Sequence, residues 1–444
     1  MSWWFSAKQL QIGSAYYIKR GDMFSHLLHK TARRVSRGVG TSVIVAAIAL
    51  AMGFMPWSAK ASGTQARHVV GNLVKAGPVT VVADKDSIDL ATVEGHSKVT
   101  AMSMTYSPDG HYLAIVDAVG AGATHIVVWD LKRNKLQSHT ERLTPNFALD
   151  PYALLTWTPD GKRLTFGRGG GGSPIKFWDA MTGQVVSEAP STVVAASLRF
   201  NRQGTQALAS PGAGGSLTFR VYDTTNWSYK EFDEGGMAVQ ELAWAPGGRI
   251  VAVGLWRKVG DGAAGAIGSG DRDVLRSLKI NDVIARLIDP SGVVASRTKL
   301  LIPSKPTTVQ SGGRYLTYNQ TQEQSSMFLV SDAEGKTLAI GLGNILDVPT
   351  LEMLTYATSE DISAHKVPAA LQPRDFAMSP DGSYLYLGGG SSSPNDGDDN
   401  LIVDARTGKL LSGFQGGKGG IAVSPDGTQI AVGDERYVKF FSVK

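Results

Sequence analysis

The chain has 444 residues, of which 42% are hydrophobic and 19% charged, so it can form a packed core and is not a disordered protein. The formal charge of +5 is misleading: of the 44 basic and 39 acidic residues, eight and one lie in residues 1–61, which leaves 36 basic and 38 acidic residues in 62–444. This near-neutral body argues against nucleic-acid binding, and the absence of cysteine excludes disulfides, thiolate metal sites and a cysteine nucleophile.

The N-terminal 61 residues have the pattern of a leader. Residues 30–38 (KTARRVSRG) are basic, residues 39–57 (VGTSVIVAAIALAMGFMPW) carry no charge, and Ala59-Lys60-Ala61 is a small-residue cleavage site. This order predicts a signal peptide. The alternative is an uncleaved membrane anchor, because the apolar segment approaches the roughly 20 residues needed to span a bilayer. Both predict an exported body, periplasmic or otherwise extracytoplasmic, which the anchor would tether to the inner membrane.

The start of the leader is a separate hypothesis. Residues 1–22 make the segment before the apolar run unusually long, so Met23 is an alternative start to Met1. Residues 62–86 are predicted to be a linker, and residues 87–444 are predicted to form the folded body.

A tight-turn motif recurs along this body. Its predicted copies are SPDG at 107–110, TPDG at 158–161, NRQG at 201–204, APGG at 245–248, SGG at 311–313, and SPDG at 379–382 and 424–427. Pro sets the first dihedral of such a turn, Asp bonds the nearby backbone and Gly accepts a positive φ, so each copy predicts a hairpin between apolar strands.

A second signature follows most copies, in which a strand ends at an Asp-led turn. It reads IVVWDLKRNK (126–135), IKFWDAMTGQ (175–184), FRVYDTTNW (219–227), ARLIDPSGV (285–293), FLVSDAEGK (328–336) and LIVDARTGK (401–409). Four short strands per unit of about 40–50 residues predict a β-propeller. Counting the turns predicts seven blades, and SIDLATV (87–93) is expected to supply the strand that the last copy lacks, closing the ring.

The segment 94–130 resembles a unit of the WD-repeat family. It contains Gly95-His96, an apolar strand, SPDG and the pair Trp129-Asp130, and a second such pair stands at Trp178-Asp179. The later SPDG and DARTGKLL segments also resemble the exported YVTN-type bacterial propellers. The resemblance covers roughly 87–444 and implies a propeller in which His96 bonds within its own blade.

Long connections point to a partner-binding face. In a four-stranded meander, the first and third turns lie on one side of the disc and the other connections lie on the opposite side. The second group contains the oversized segments 117–125, 168–174, 210–216, 256–282, 342–373 and 388–400. Loops on a rigid scaffold commonly carry binding sites, so this side is predicted to bind another envelope protein or a peptide.

Candidate site residues lie in two of these connections. Interface anchors are commonly Trp and Arg, which singles out the set Trp256, Arg257, Lys258, Arg272 and Arg276. A loop that is merely solvated, with Trp256 packed on its own blade, is the alternative. The cluster Asp396, Asp398 and Asp399 offers carboxylates to a Ca²⁺ ion, but its spacing is not that of an EF-hand and favours a polar hairpin loop instead.

The sequence favours a non-catalytic scaffold with no cofactor. It contains no G-x-S-x-G elbow and no local histidine pair with zinc spacing. The alternative is a propeller hydrolase or quinone-type oxidoreductase with a metal or cofactor at the channel mouth, assembled from distant blades, for which Asp117, His125 and the 396–399 cluster are the candidates. A third hypothesis is a membrane-tethered spacer with an uncleaved leader.

Overall fold

The computed structural model describes much of the body. The described residues are 74–76, 79–93, 100–119, 122–143, 155–166, 174–190, 193, 195, 197–210, 216–233, 236–257, 277–291, 297–302, 305–311, 314–320, 329–340, 344–348, 352–355, 375–388, 400–407, 410–417 and 419–444. The leader (1–61), residues 62–73 and His96 lie outside them, so the predicted signal or anchor helix does too.

The described strands form antiparallel sheets, six of which have four strands. Blade 1 contains β3 (Thr100–Tyr106), β4 (Tyr112–Val119), β5 (Gly122–Asp130) and β6 (Lys135–His139). Blade 2 contains β7 (Thr156–Trp157), β8 (Arg163–Thr165), β9 (Lys176–Asp179) and β10 (Val185–Glu188). Blade 3 contains β11 (Ser197–Phe200), β12 (Gln206–Ser210), β13 (Thr218–Asp223) and β14 (Tyr229–Asp233).

The remaining four-stranded blades follow in chain order after blade 3. Blade 4 contains β15 (Met237–Ala245), β16 (Arg249–Trp256), β17 (Val283–Ile288) and β18 (Arg297–Ile302). A hairpin of β19 (Lys305–Ser311) and β20 (Arg314–Gln320) forms a two-stranded sheet. Blade 5 contains β21 (Leu329–Ser331), β22 (Thr337–Ile340), β23 (Asn344–Asp347) and β24 (Glu352–Thr355). Blade 6 contains β25 (Asp375–Met378), β26 (Tyr384–Gly388), β27 (Asn400–Asp404) and β28 (Leu410–Phe414).

Both ends of the body meet in a five-stranded sheet, the closing sheet. Its members are β1 (Val74–Ala76), β2 (Val79–Asp89), β29 (Ile421–Val423), β30 (Gln429–Asp434) and β31 (Tyr437–Val443). The first long strand, β2, pairs with the last strand, β31, from Val81 opposite Val443 to Asp89 opposite Tyr437. It begins at Val79, inside the predicted linker, and residues 90–92 form a short 3-10 turn after it.

The prediction of seven four-stranded blades was wrong, because the described residues contain six four-stranded sheets, the five-stranded closing sheet and the two-stranded hairpin. The error lies in the copy predicted around 311–313. FLVSDAEGK (328–336) was predicted to hold the third and fourth strands of that copy. It instead forms the first hairpin of blade 5, in which β21 pairs with β22, while β19 and β20 form a separate sheet.

Local turn chemistry explains why the first two strands of each blade pair so regularly. In blade 1, Ser107 Oγ donates to Asp109 at 2.5 Å, and the N–H of His111 donates to the same carboxylate at 3.0 Å. Gly110 takes a φ of 73°. Blade 5 replaces Ser with Asp332, whose carboxylate accepts the N–H groups of Lys336 and Thr337 at 2.9 and 3.2 Å.

Apolar cores lie between neighbouring sheets and set their order around the ring. Side chains of blades 1 and 2 share a core built on Trp157, and blades 2 and 3 share one built on Phe177. Leu338 of blade 5 packs in the same core as Val251 and Ala285 of blade 4. The ring therefore runs from the closing sheet through blades 1 to 6 and back, with blade 5 directly beside blade 4.

Candidate functional site

The anchor predicted at Trp256 is part of the core. Trp256 ends β16, is 8% exposed and packs with Met237 and Leu278. Its neighbour Arg257 is exposed and its guanidinium donates to the side chain of Asn281. Lys258, Arg272 and Arg276 lie outside the described residues, as do Asp396, Asp398 and Asp399.

Backbone hydrogen bonds fix the base of the 258–276 connection. The N–H of Trp256 donates to the carbonyl of Asp282 at 2.8 Å, and the N–H of Asn281 donates to the carbonyl of Trp256 at 2.8 Å. The two ends of the connection are therefore held together at a buried aromatic residue.

The pair of Asp117 and His125 lies at the end of blade 1. Asp117 is fully buried and accepts the N–H of His125 at 2.7 Å, and the His125 Nδ1 atom lies 3.6 Å from the same carboxylate oxygen. The segment 117–125, predicted to be a loop, is largely strand, since β4 continues to Val119 and β5 begins at Gly122. Across the described part of the chain, no group of three or more His, Asp or Glu side chains is placed to hold a metal ion.

The tight turns between the first two strands of each blade lie on the side of the ring opposite the long connections. We call this side the tight-turn face. At four junctions a turn glycine packs against the turn proline of the preceding sheet. These pairs are Gly110 with Pro425, Gly161 with Pro108, Gly204 with Pro159 and Gly427 with Pro380. The contacts place the turns side by side around the mouth of the channel.

This proline–glycine ring is interrupted across blades 3, 4 and 5. Arg202 takes the proline position in blade 3, and Ala333 takes it in blade 5. In blade 4, Gly247 takes the position at which the SPDG turns have Asp. A Cβ atom added to Gly247 or to Gly248 would meet nothing within 4 Å.

Two cavities lie at this interruption. One has a volume of about 560 Å³ and is lined by residues of blades 1, 3, 5 and 6, among them Arg202, Glu334 and Lys336. The other has a volume of about 570 Å³ and lies over Trp244, Gly247 and Gly248. Arg202, Asp332, Ala333 and Glu334 line both cavities, so the two are lobes of one depression. We call it the mouth depression.

Most of the charges in the mouth depression have partners. Lys336 lies 2.5 Å from Glu334, and the hydrogen bond and charge of Lys336 lower the pKa of Glu334, with a smaller effect from Arg202. Burial raises the pKa of Asp381, but hydrogen bonds from Ser383 and Ser379 outweigh burial, and the net shift is downward. Both carboxylates are therefore ionised at neutral pH.

Arg202 differs from these groups. Among the described residues it makes no ion pair and no side-chain hydrogen bond, although its charge reaches Glu334. Sequence reasoning missed this residue, because NRQG was counted as one more turn. The signal was present in the repeat itself, since a charged side chain stands where five other turns have Pro.

One segment of the chain matches a known family. The family of the WD domain, G-beta repeat, matches residues 88–130, which run from the end of β2 through β5. The fold continues that unit around a ring of antiparallel sheets closed by the two ends of the body. The chain is a β-propeller that contains a WD-repeat unit. Among curated proteins, none matches this propeller in sequence.

Solved structures resemble the propeller in fold. One is Kuenenia stuttgartiensis hydrazine synthase, with 14% identity, 79% of this chain and 98% of that chain covered, and a TM-score of 0.49. Another is the β-propeller domain of Myceliophteria thermophila Cps50 (Swd1), with 13% identity, 78% and 97% covered, and a TM-score of 0.50. At these identities the likeness concerns the fold alone.

None of the helices within the described ranges has the length and apolar character that crossing a bilayer requires.

Proposed function

We propose that this WD-repeat propeller is an exported, non-catalytic scaffold that binds another envelope protein or a peptide. The β-propeller fold supports an interaction role, because a rigid ring of blades presents loops at fixed positions. The proposed binding surface is the long-loop face, the side with the connections between second and third strands and between blades.

The observation that carries this proposal is the difference in connection length between the two sides. Every described turn between first and second strands spans five residues or fewer, as in 107–111 and 379–383. On the other side, residues 257–282 separate β16 from β17, and residues 389–399 separate β26 from β27. Residues 342–373, predicted to be one connection, include β23 and β24, so the connection there is 356–374.

Within that face, the 258–276 connection is the proposed contact region. Its base is fixed by the hydrogen bonds of Trp256, and its sequence carries the cations Lys258, Arg272 and Arg276. The segment also carries Asp261, Asp271 and Asp273, so its charges balance, and the three cations are proposed to pair individually with acidic groups of the partner. Trp256 contributes by holding the base, and Arg257 is the exposed residue closest to it.

Export belongs to the same proposal. The basic, apolar and small-residue segments of the leader support secretion with cleavage after Ala61, and an uncleaved leader would tether the propeller to the inner membrane. Either outcome places the propeller among envelope proteins, which are therefore its proposed partners.

A charge reversal tests the contact region. Lys258→Glu, Arg272→Glu and Arg276→Glu are combined in one variant, and Lys132→Glu with Lys135→Glu on the tight-turn face is the control. Partners recovered from envelope extract by crosslinking are purified, and their affinity is measured by calorimetry. We expect the triple variant to lose at least about tenfold in affinity while the control is unchanged. Equal affinities for both would contradict the long-loop face as the binding surface.

Metal and cofactor analysis tests the non-catalytic part. Purified protein is assayed by elemental analysis and absorption spectroscopy, and we expect neither stoichiometric metal nor a chromophore. A stoichiometric metal or a bound chromophore would contradict the proposal in favour of a propeller enzyme.

A further inference from the structure

We propose that the mouth depression is a second binding site, and that it takes an extended peptide segment of a protein partner through an aspartate or glutamate side chain held by Arg202. This site lies on the tight-turn face and is independent of the long-loop face.

The depression exists because the chain departs from its own repeat at neighbouring turns. Four junctions are filled by a proline packed on a glycine. At the three interrupted turns, the proline is replaced by Arg202 or Ala333, and the turn aspartate is replaced by Gly247. Each of the two smaller residues removes side-chain atoms that would fill the mouth. The open space therefore follows from the residues at these turns and not from a missing strand.

Charge decides which ligand fits. Glu334 is paired with Lys336, and Asp381 accepts hydrogen bonds from Ser379 and Ser383. Asp332 is buried, and its carboxylate accepts backbone N–H groups of its own turn. What remains is the cation Arg202, an exposed residue that lines both lobes. A guanidinium binds a carboxylate through two parallel hydrogen bonds, so a carboxylate is the matching group.

The walls favour a peptide over a small anion. Arg202 lines both lobes, whose volumes are about 560 and 570 Å³, each within the ~300–1,000 Å³ range of ligand pockets. Phe200 and Trp244 are partly exposed apolar walls, and the indole N–H of Trp244 is already used by the carbonyl of Arg199 at 2.8 Å. Residues that flank a bound carboxylate side chain would occupy these lobes, which a free anion would leave empty.

Two variants change the site in different ways. Arg202→Glu reverses the anchoring charge on an exposed side chain. Gly247→Asn fills one lobe, because a Cβ there meets open space and Asn tolerates the left-handed backbone at a φ of 74°. Lys132→Glu is the matched control, since Lys132 is an exposed cation in a blade 1 turn of the same face. Thermal melts are the check that all three variants remain folded.

The probe is an array of acetylated and amidated heptapeptides in which one central position varies over all residues and the flanks are randomised. We expect Asp and Glu to be preferred at the centre, and affinity for a selected peptide, measured by fluorescence anisotropy, to fall about tenfold or more in both site variants. The Lys132→Glu protein and the protein with the 258–276 charge reversal should bind that peptide unchanged.

Three results would overturn the proposal. The first is an array without preference for acidic residues. The second is a selected peptide that binds Arg202→Glu as tightly as the original protein. The third is competition by free acetate or glutamate at the same concentration as the peptide, which would indicate a small-anion site. None of these results bears on partner binding by the long-loop face, because the variants of that face are tested with a different partner.

Discussion

Gly335 lies against the main-chain carbonyl of Trp244, so closely that a side chain at Gly335 would collide with it. Gly335 belongs to the first turn of blade 5 and Trp244 to the innermost strand of blade 4. This contact places the two blades next to each other on the tight-turn face. It also fixes the edge of the mouth depression, since Gly335 and Trp244 both line the larger lobe.

The Gly335–Trp244 contact predicts that a methyl group added at Gly335 strongly destabilises the fold. Gly335→Ala combines a left-handed conformation, at a φ of 68°, with a collision against backbone. We expect it to lower the free energy of unfolding by roughly 2–4 kcal/mol in urea titrations. Gly247→Ala is the matched control, because it has a φ of 74° and open space, and it should lose about 1–2 kcal/mol. Equal losses would show that blade 5 does not pack against blade 4 in this way.

The burial of Trp256 predicts that its substitution lowers the stability of the fold, in addition to any effect on partner binding. It is 8% exposed within the core between blades 3 and 4, so Trp256→Ala should cost about 3–5 kcal/mol, measured by chemical denaturation. Arg257→Ala, one residue further and exposed, should change stability by about 0.5 kcal/mol or less. A stable Trp256→Ala protein would instead favour a surface role for the indole ring.

The lowered pKa values of the turn aspartates predict that the protein loses stability in acid. Hydrogen bonding by Ser424 and by the Thr428 N–H lowers the pKa of Asp426 below its usual 3.8. At Asp109 and Asp160, burial raises the pKa, but the Ser107 or Thr158 hydroxyl and a backbone N–H outweigh it. A lowered folded-state pKa stabilises the fold above the unfolded-state pKa, and this contribution is lost as the pH falls through the folded-state pKa.

Urea titrations at several pH values check this prediction. The free energy of unfolding should be level near pH 6 and should fall below about pH 4, because each turn carboxylate must take up a proton. Asp426→Asn should lower stability near neutral pH and reduce the slope in acid. An unchanged slope in that variant would mean that Asp426 does not contribute through its ionised form.

The turns could be predicted from the sequence, but the blade to which each turn belongs could not always be predicted. Ser or Thr, Asp and Gly in order specify the hairpin through local hydrogen bonds, so the turns at 107–110 and 424–427 could be predicted without tertiary information. The DAEG turn at 332–335 could not be assigned, because an Asp-led turn ending in Gly has the same chemistry whether it joins the first two strands of a blade or the last two.

The candidate sites could not be predicted fully either, because they depend on contacts between residues that are distant in sequence. The burial of Trp256 depends on packing against Met237 and Leu278, which are distant in sequence, so its exposure could not be read from the loop that follows it. The mouth depression depends on turns from four blades meeting at one place. Its individual signals, Arg202, Gly247 and Ala333, were visible as departures from the repeat, but their proximity depends on the closed ring.

Closure of the ring by the pairing of β2 with β31 is the central claim, and a disulfide tests it most directly. The chain has no cysteine, so Ser87→Cys with Lys439→Cys introduces one pair of thiols at facing, exposed positions of the two strands. Facing residues of neighbouring strands have Cβ atoms about 4.5–5.5 Å apart, which is near disulfide geometry. Under mild oxidation we predict rapid and complete intramolecular bonding, seen by mass spectrometry, and a gain of roughly 2–4 kcal/mol in the free energy of unfolding that reduction removes. Two thiols that stay free in the folded protein, or that form bonds between molecules as each single variant would, contradict the closed ring.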